Sequence, residues 1–254
     1  MQVSLITCTS NSEKTIKDCC LSIFSQSYDD IEHIIIDNNS LDNTLSIAKE
    51  SKIKCQKIFQ QKSTGIYGAL NEGLKIVKGD LVGILHSDDQ LFDCSVIEKI
   101  VKIFVKEDVD VLFANLIYVS RNNPNKIVRK WKSDLKEGMQ SNINLNNKIE
   151  NGWMPPHTTV FIKKNLLSEI GCYDESFKIS SDYDYLLKII KKDSIKFFFL
   201  DEYTIKMKIG GTSNKNIFNI FKKMKEDYRV MKKNKFNVFK AILLKNFSKI
   251  SQFF

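Results

Sequence analysis

Two adjacent carboxylates, Asp88 and Asp89, follow the apolar run Leu81-Val-Gly-Ile-Leu85 and the pair His86-Ser87. Paired carboxylates repel each other unless donors or a cation compensate, and a hard divalent ion shared with substrate phosphates is a common solution. A structural reading stands beside it: Asp89 caps the helix that begins near Cys94, and Asp88 is merely solvated. A second acidic pair, Asp182 and Asp184, flanks Tyr183 at the expected start of a helix, where the dipole favours acids whether or not they catalyse. His157, after Pro155-Pro156, is either a ligand or a satisfied loop histidine. Asp37, followed by Asn38-Asn39-Ser40, is either a turn former or a binding carboxylate.

These residues need a frame. Apolar, β-branched runs predict strands over Val3–Thr9, Ile31–Asp37, 57–60, 81–86 and Val111–Val119. Helical spacing predicts helices over 11–25, from Ser40 or Asp42 onward, over 66–77 and over 96–105. The alternation implies an α/β fold, a mostly parallel central sheet flanked by helices. Ligands of such sheets bind beyond the carboxyl ends of the strands. Residues 7–11, Asp37 with Asp42, and 86–89 are therefore expected along one edge.

Residues 121–152, rich in Asn and Lys, predict loops or a flap. A strand over 158–162, a helix over 164–170, a helix from near Ser181 and a strand over 197–200 follow. Last come two amphipathic helices, marked by Ile217, Phe221, Met224 and Tyr228, then by Phe236, Phe239, Leu243 and Phe247. Lysines occupy their other faces, so the tail phenylalanines are expected to be buried.

Composition narrows the classes. At 254 residues and 43% hydrophobic, the chain holds enough apolar mass for a core, which excludes wholesale disorder. It shows neither an apolar run of transmembrane length nor a secretory n-region, so a cytosolic protein is expected. Six cysteines without a Cys-x-x-Cys pair read as reduced core thiols. The net charge of +9 is concentrated in residues 202–254, which hold thirteen Lys or Arg against three acids. That pattern suits a neutral catalytic domain with a cationic docking element. Only three of the 39 basic residues are arginine, which argues against nucleic acid as a partner. The glycines match neither a dinucleotide fingerprint nor a P-loop, and no Gly-x-Ser-x-Gly elbow occurs.

In chain order, five segments resemble the family 2 glycosyltransferases, inverting enzymes of the GT-A fold. They are Val3-Ser-Leu-Ile-Thr-Cys-Thr-Ser-Asn11, Ile34-Ile-Ile-Asp-Asn-Asn-Ser-Leu-Asp-Asn-Thr44, Gly65-Ile-Tyr-Gly-Ala-Leu-Asn-Glu-Gly73, Lys78-Gly-Asp-Leu-Val-Gly-Ile-Leu-His-Ser-Asp-Asp89, and the stretch from His157 through Ser181-Asp-Tyr-Asp-Tyr-Leu186. The resemblance implies a GT-A domain over residues 1–215 and a basic helical extension over 216–254. It implies that Thr7, Asn11, Asp37, His86 and Asp88 bind a UDP-sugar, with Asp88 holding Mn2+ or Mg2+ and Asp182 acting as general base. Asp89, His157 and Asp184 fall to the acceptor side or to support. His86, where the family often has Asp, Gly68, where many members have Asp, and Ser181, where many have Glu, depart from the pattern.

Within the family the motifs resemble bacterial enzymes of O-antigen and other surface polysaccharide synthesis. The implied acceptor is a lipid-linked saccharide, GlcNAc-diphosphoundecaprenol, receiving galactose or glucose in β1,3 linkage. The tail would then meet the anionic cytoplasmic face of the inner membrane. The competing reading is a non-catalytic, membrane-associated scaffold that retains the fold.

Overall fold

The computed structural model describes residues 1–51, 53, 55–210 and 217–236. Strands β1 (Val3–Thr9) and β2 (Ile31–Asp37) are buried at every position, as parallel strands covered on both faces must be. Helix α1 (Ile16–Phe24) joins them, α2 (Thr44–Glu50) leads to β3 (Cys55–Gln60), and α3 (Gly65–Ile76) leads to β4 (Leu81–Ile84). Then come β5 (Asp89–Leu91), α4 (Val96–Glu107), β6 (Val111–Val119), β7 (Ile127–Trp131), β8 (Gly138–Gln140) and α5 (Asn142–Glu150). After a 3-10 turn at His157–Thr159 follow β9 (Phe161–Lys163), α6 (Leu167–Ile170), α7 (Ser181–Ile190), β10 (Phe197–Lys208) and α8 (Ile217–Lys233).

One sheet runs in the order β3-β2-β1-β4-β9-β6-β10-β5, with β7 on β6 and β8 on β10. It is parallel from β3 to β4, as expected, and mixed beyond, where the short strands β9, β7, β8 and β5 pair antiparallel. Alternation along β1 divides the core. Val3 and Leu5 pack with Ile23 of α1 and with Ile97, Ile100 and Phe104 of α4. Ile6 and Cys8 join the cluster that holds Tyr67 and Leu70 of α3, Leu186 of α7, and Val230 and Met231 of α8. Helix α3 sits close on β1 at Gly73, where a Cβ would lie 2.6 Å from Ile6 Cγ2.

Several expectations change. Residues 121–152 carry β7, β8 and α5 rather than loops alone. The strand expected over 158–162 begins only at Phe161, because His157 to Thr159 turn first. Strand β10 continues to Lys208, pairing with β6 as far as Val119 past an irregularity. Three of the free cysteines are buried and three, Cys55, Cys94 and Cys172, are exposed.

The tail holds the largest correction. Its first helix forms, but Phe221 is 66% exposed, and Met224 and Tyr228 are exposed too. The inward face carries Glu226, Asp227, Val230, Met231 and Asn234 instead. Phe236 is buried as expected, and the second helix expected around Phe239, Leu243 and Phe247 lies outside the described residues.

Candidate active site

The carboxyl ends of β2, β1 and β4 lie side by side, because β1 pairs in parallel with both neighbours. At the end of β2 the Asp37 carboxylate accepts the Ser40 N–H at 2.9 Å and the Ser40 hydroxyl at 2.5 Å. Asn11 adopts a left-handed φ of 48°. From there its N–H donates to Ser40 Oγ and its Oδ1 accepts the Leu41 N–H, both at 2.9 Å. Asp42 accepts the Glu13 N–H at 3.1 Å. The loops after β1 and β2 therefore form one interlocked rim.

Thr7 is not on that rim. Its buried hydroxyl donates to the Leu85 carbonyl at 2.7 Å, and with its one proton committed there it accepts from His33 Nε2 at 2.9 Å. The hydroxyl braces β1, β2 and the end of β4. Thr9, the last residue of β1, was missed by sequence reasoning; its Oγ1 is buried without a partner in the described structure.

The turn after β4 joins the same rim, with Ser87 Oγ 3.0 Å from Ser12 Oγ. Here the two carboxylates separate. Asp88 is 33% exposed, and its Oδ2 lies 3.6 Å from Arg121 Nη2. Asp89 is buried on β5, where burial and then the Asp88 charge push its carboxyl well above the usual range, against the pull of Lys208. Asp89 does not cap α4: the N-cap is Ser95, whose N–H goes to Asp93 at 2.8 Å, and in the first turn the Ile97 N–H goes to Gln26 Oε1 at 3.0 Å. Arg121, hidden in a stretch read as loop, also donates to the Ile209 carbonyl at 3.2 Å.

Across the cleft, Asp182 lies in the first turn of α7. Its Oδ1 accepts the Tyr183 N–H at 2.8 Å and lies 3.3 Å from Tyr67 Oη. Burial, then the Asp182 charge, push the Tyr67 phenol up. Tyr173 stacks against Tyr67 and Tyr185 and meets His157 Nε2 at 2.8 Å. Burial depresses His157 to about 4, opposed by the Asp182 carboxylate.

The His86 ring lies 6.4 Å from that of His157. Burial lowers its pKa, while Asp88 and Asp182 both pull it upward. His86 thus lies within electrostatic reach of both carboxylates, and its buried Nδ1 has no partner in the described structure.

Asp184 does not join this cleft. Fully buried, it takes Lys188 Nζ at 2.9 Å, Lys233 Nζ at 3.1 Å and Asn234 Nδ2 at 2.9 Å. Residues two apart on a helix face opposite sides, so of the acceptor-side and supporting positions expected for it, Asp184 takes a supporting one, as an anchor for α8.

The family model described as Glycosyl transferase family 2 matches residues 4–171, from β1 to the end of α6. The chain belongs to glycosyl transferase family 2. This family 2 chain is 25% identical over 221 residues to an uncharacterized glycosyltransferase of Methanocaldococcus jannaschii, covering 84% of the chain and 72% of the relative. It is also 25% identical over 230 residues to the UDP-Glc:alpha-D-GlcNAc-diphosphoundecaprenol beta-1,3-glucosyltransferase WfgD of Escherichia coli, covering 90% and 85%.

Among solved structures it is similar to S. aureus TarS 1-349 in complex with UDP-GlcNAc, with a TM-score of 0.73 and 21% identity over 92% of the chain and 65% of that one. The mannosyltransferase PcManGT of Pyrobaculum calidifontis, in complex with GDP-Man and Mn2+, gives a TM-score of 0.64 and 16% identity over 91% and 63%. The chain spans less than two thirds of either structure, and these likenesses establish the GT-A fold of the family 2 chain.

Among the described residues no three His, Cys, Asp or Glu side chains gather into a metal cage. A hard divalent cation fits this family 2 site in another way, through one carboxylate completed by phosphate and water oxygens. Asp88, accessible and beside a histidine with an unpartnered nitrogen, has the chemistry for that.

Proposed function

We propose that the protein is an inverting glycosyltransferase that moves galactose or glucose from a UDP-sugar to a lipid-linked saccharide in bacterial surface polysaccharide synthesis. The observation that carries this reading is the placing of Asp88 on the turn after β4 and of Asp182 in the first turn of α7, with His86 of that same β4 turn 6.4 Å from His157 and acted on by both carboxylates. In this reading Asp88 is the phosphate-side carboxylate and Asp182 the base. Donor and acceptor chemistry reside in residues 1–215, and 216–254 form the basic extension. The likeness to WfgD favours GlcNAc-diphosphoundecaprenol as acceptor and a β1,3 linkage.

In this mechanism the rim built by Asn11, Asp37 and Thr9 receives the nucleoside. Asp88 holds Mn2+ or Mg2+, which when bound offsets the negative charge that grows on the leaving diphosphate. Neutral His86 hydrogen-bonds the donor without adding charge. Asp182 takes the proton of the acceptor hydroxyl. The freed oxygen pair attacks the anomeric carbon from the face opposite the diphosphate, the carbon–oxygen bond to the diphosphate breaks, and UDP leaves with that electron pair. An α-linked donor therefore gives a β-glycoside.

Attachment to the anionic cytoplasmic face of the inner membrane belongs to the same reading. Exposed Phe221, Met224 and Tyr228 lie on α8 among Lys222, Lys225, Arg229 and Lys232, a composition suited to a lipid surface. No helix among the described residues is long and apolar enough to cross a membrane.

A panel of UDP-sugars with a synthetic GlcNAc-diphosphate-lipid acceptor, read by UDP release, product mass and anomeric configuration, tests the proposal. A β-hexosyl product with either donor supports it. UDP binding without release from any donor would favour the scaffold reading, which the substitution of His86 for an acid supports.

A further inference from the structure

Helix α8 inserts two acids into the segment that carries Asp182. Glu226, buried, accepts backbone N–H groups of three consecutive residues: Lys178 at 3.0 Å, Ile179 at 2.8 Å and Ser180 at 3.1 Å, all to Oε2. Its Oε1 also receives the Lys178 N–H, at 3.1 Å. Asp227, buried beside it, accepts the Ser180 hydroxyl at 2.6 Å. From the opposite side, Tyr67 Oη donates to the Ile179 carbonyl at 2.6 Å. Residues 178–180, which lead into α7, are thus clamped between α3 and α8, and the tail makes most of the bonds.

We infer that Glu226 is a positioning residue for Asp182, holding the backbone of residues 178–180 and through it the place of the carboxylate in the first turn of α7. The inference rests on the reading of Asp182 as general base. The clamp also explains why a helix outside the matched family region packs an acidic face inward while leaving Phe221 and Tyr228 exposed.

The groups that face Asp182 are Tyr67 of α3, His86, His157 and Tyr173. On its own helix and on α8, Asp184 is neutralised by Lys188 and Lys233, and Asp227 holds Ser180. None of these loses its partner when Glu226 becomes Gln.

Two variants of the full chain test the clamp. E226Q keeps the side-chain length and removes the charge that strengthens its bonds to the three amides. E226D keeps the charge and withdraws it by one methylene. Hydrogen exchange at amides 178–180 needs no substrate and is expected to quicken about tenfold in both, the scale of losing one charge-assisted hydrogen bond. In the UDP-glucose transfer assay both are expected to lower kcat severalfold with the donor KM within about twofold.

Unchanged exchange in both variants, or full kcat in both, would overturn the inference. If E226Q does not fold, E226D exchange and kcat decide alone, slow exchange with full kcat being the refuting result. Should D182N itself keep full turnover, the base assignment fails, whereas full turnover in the Glu226 variants with an inactive D182N refutes only the inference.

Discussion

The Tyr67 hydroxyl reaches both the Ile179 carbonyl, at 2.6 Å, and Asp182 Oδ1, at 3.3 Å. One phenolic proton cannot serve both acceptors fully, and the shorter bond takes it. Asp182 Oδ1 is left with the Tyr183 N–H at 2.8 Å as its firm donor, and in the proposed mechanism the other carboxylate oxygen takes the proton of the incoming hydroxyl.

Asp182→Asn is expected to leave UDP affinity within about twofold while lowering transfer by about 10²-fold or more, the usual scale for a general base. The amide is close to isosteric but takes no proton at neutral pH. Calorimetry with UDP and a transfer assay check the two halves separately. A variant that loses UDP affinity but keeps its saturated rate would make Asp182 a binding residue.

Tyr67→Phe removes the donor to Ile179 and is expected to lower stability by about 1 kcal/mol, the typical net worth of one buried hydrogen bond. Transfer should fall less than in Asp182→Asn, since the Glu226 contacts still hold the segment. Denaturant midpoints and rates at saturating donor measure both. A loss of rate equal to that of Asp182→Asn would give the phenol a direct catalytic part.

Asp88→Asn is expected to abolish the gain in UDP affinity that Mn2+ confers, because the amide is a poor ligand for a hard cation. Titration of UDP with and without Mn2+ reads this directly. Equal gains in wild type and variant would remove Asp88 from the metal site and leave its contact with Arg121 as its main role.

His33 gives a prediction in stability. Its Nε2 proton goes to Thr7, leaving Nδ1 to accept from Gln56 Nε2 at 3.3 Å, so a second ring proton would face a donor. Burial depresses its pKa from 6.5 to about 3. The unfolded chain therefore binds the extra proton between those values, and stability falls as pH drops through 6.5 toward 3. From pH 7.5 to 5 the loss is about 2 kcal/mol for this group. His157 acts in the same sense and Asp89 in the opposite one. The diagnostic is thus the slope difference between wild type and His33→Gln in denaturant unfolding; identical slopes would refute the assignment.

The parts of the fold that were legible in the sequence were those whose burial left a simple pattern. β1 and β2 read directly because a strand covered on both faces is a continuous apolar run. β7 did not, because Ile127 and Val128 are exposed on an edge strand and no alternation marks it. At the site, the positions of Asp88 and Asp182 followed from motif and strand order. The separate fates of Asp182 and Asp184 were available from helical geometry alone, since i and i+2 diverge. The orientation of Thr7 was not legible, because the end of a strand does not reveal whether a hydroxyl faces the rim or a buried histidine. The face of α8 was misjudged for another reason: periodicity finds an apolar stripe, but the buried side was chosen by Glu226 and Asn234, whose partners lie about fifty residues away.

That choice of face shapes the last prediction. Lys233 is engaged with Asp174 and Asp184, so neutralising it would loosen α8 and confuse a binding test. Lys222, Lys225 and Lys232 are exposed on α8 beside Phe221 and Tyr228, placed where they can meet a surface. Each contributes up to about 1 kcal/mol near an anionic bilayer, and the attraction is screened by salt. The triple change to Gln is expected to weaken binding to anionic vesicles about tenfold or more, and to slow transfer to a lipid-embedded acceptor. Transfer to a short soluble acceptor and the unfolding midpoint should stay close to wild type. Co-sedimentation with anionic and zwitterionic vesicles at low and high salt checks it. Equal binding of wild type to both vesicle types would assign attachment to the exposed apolar residues, and no binding to either would make the lysines a solvated face.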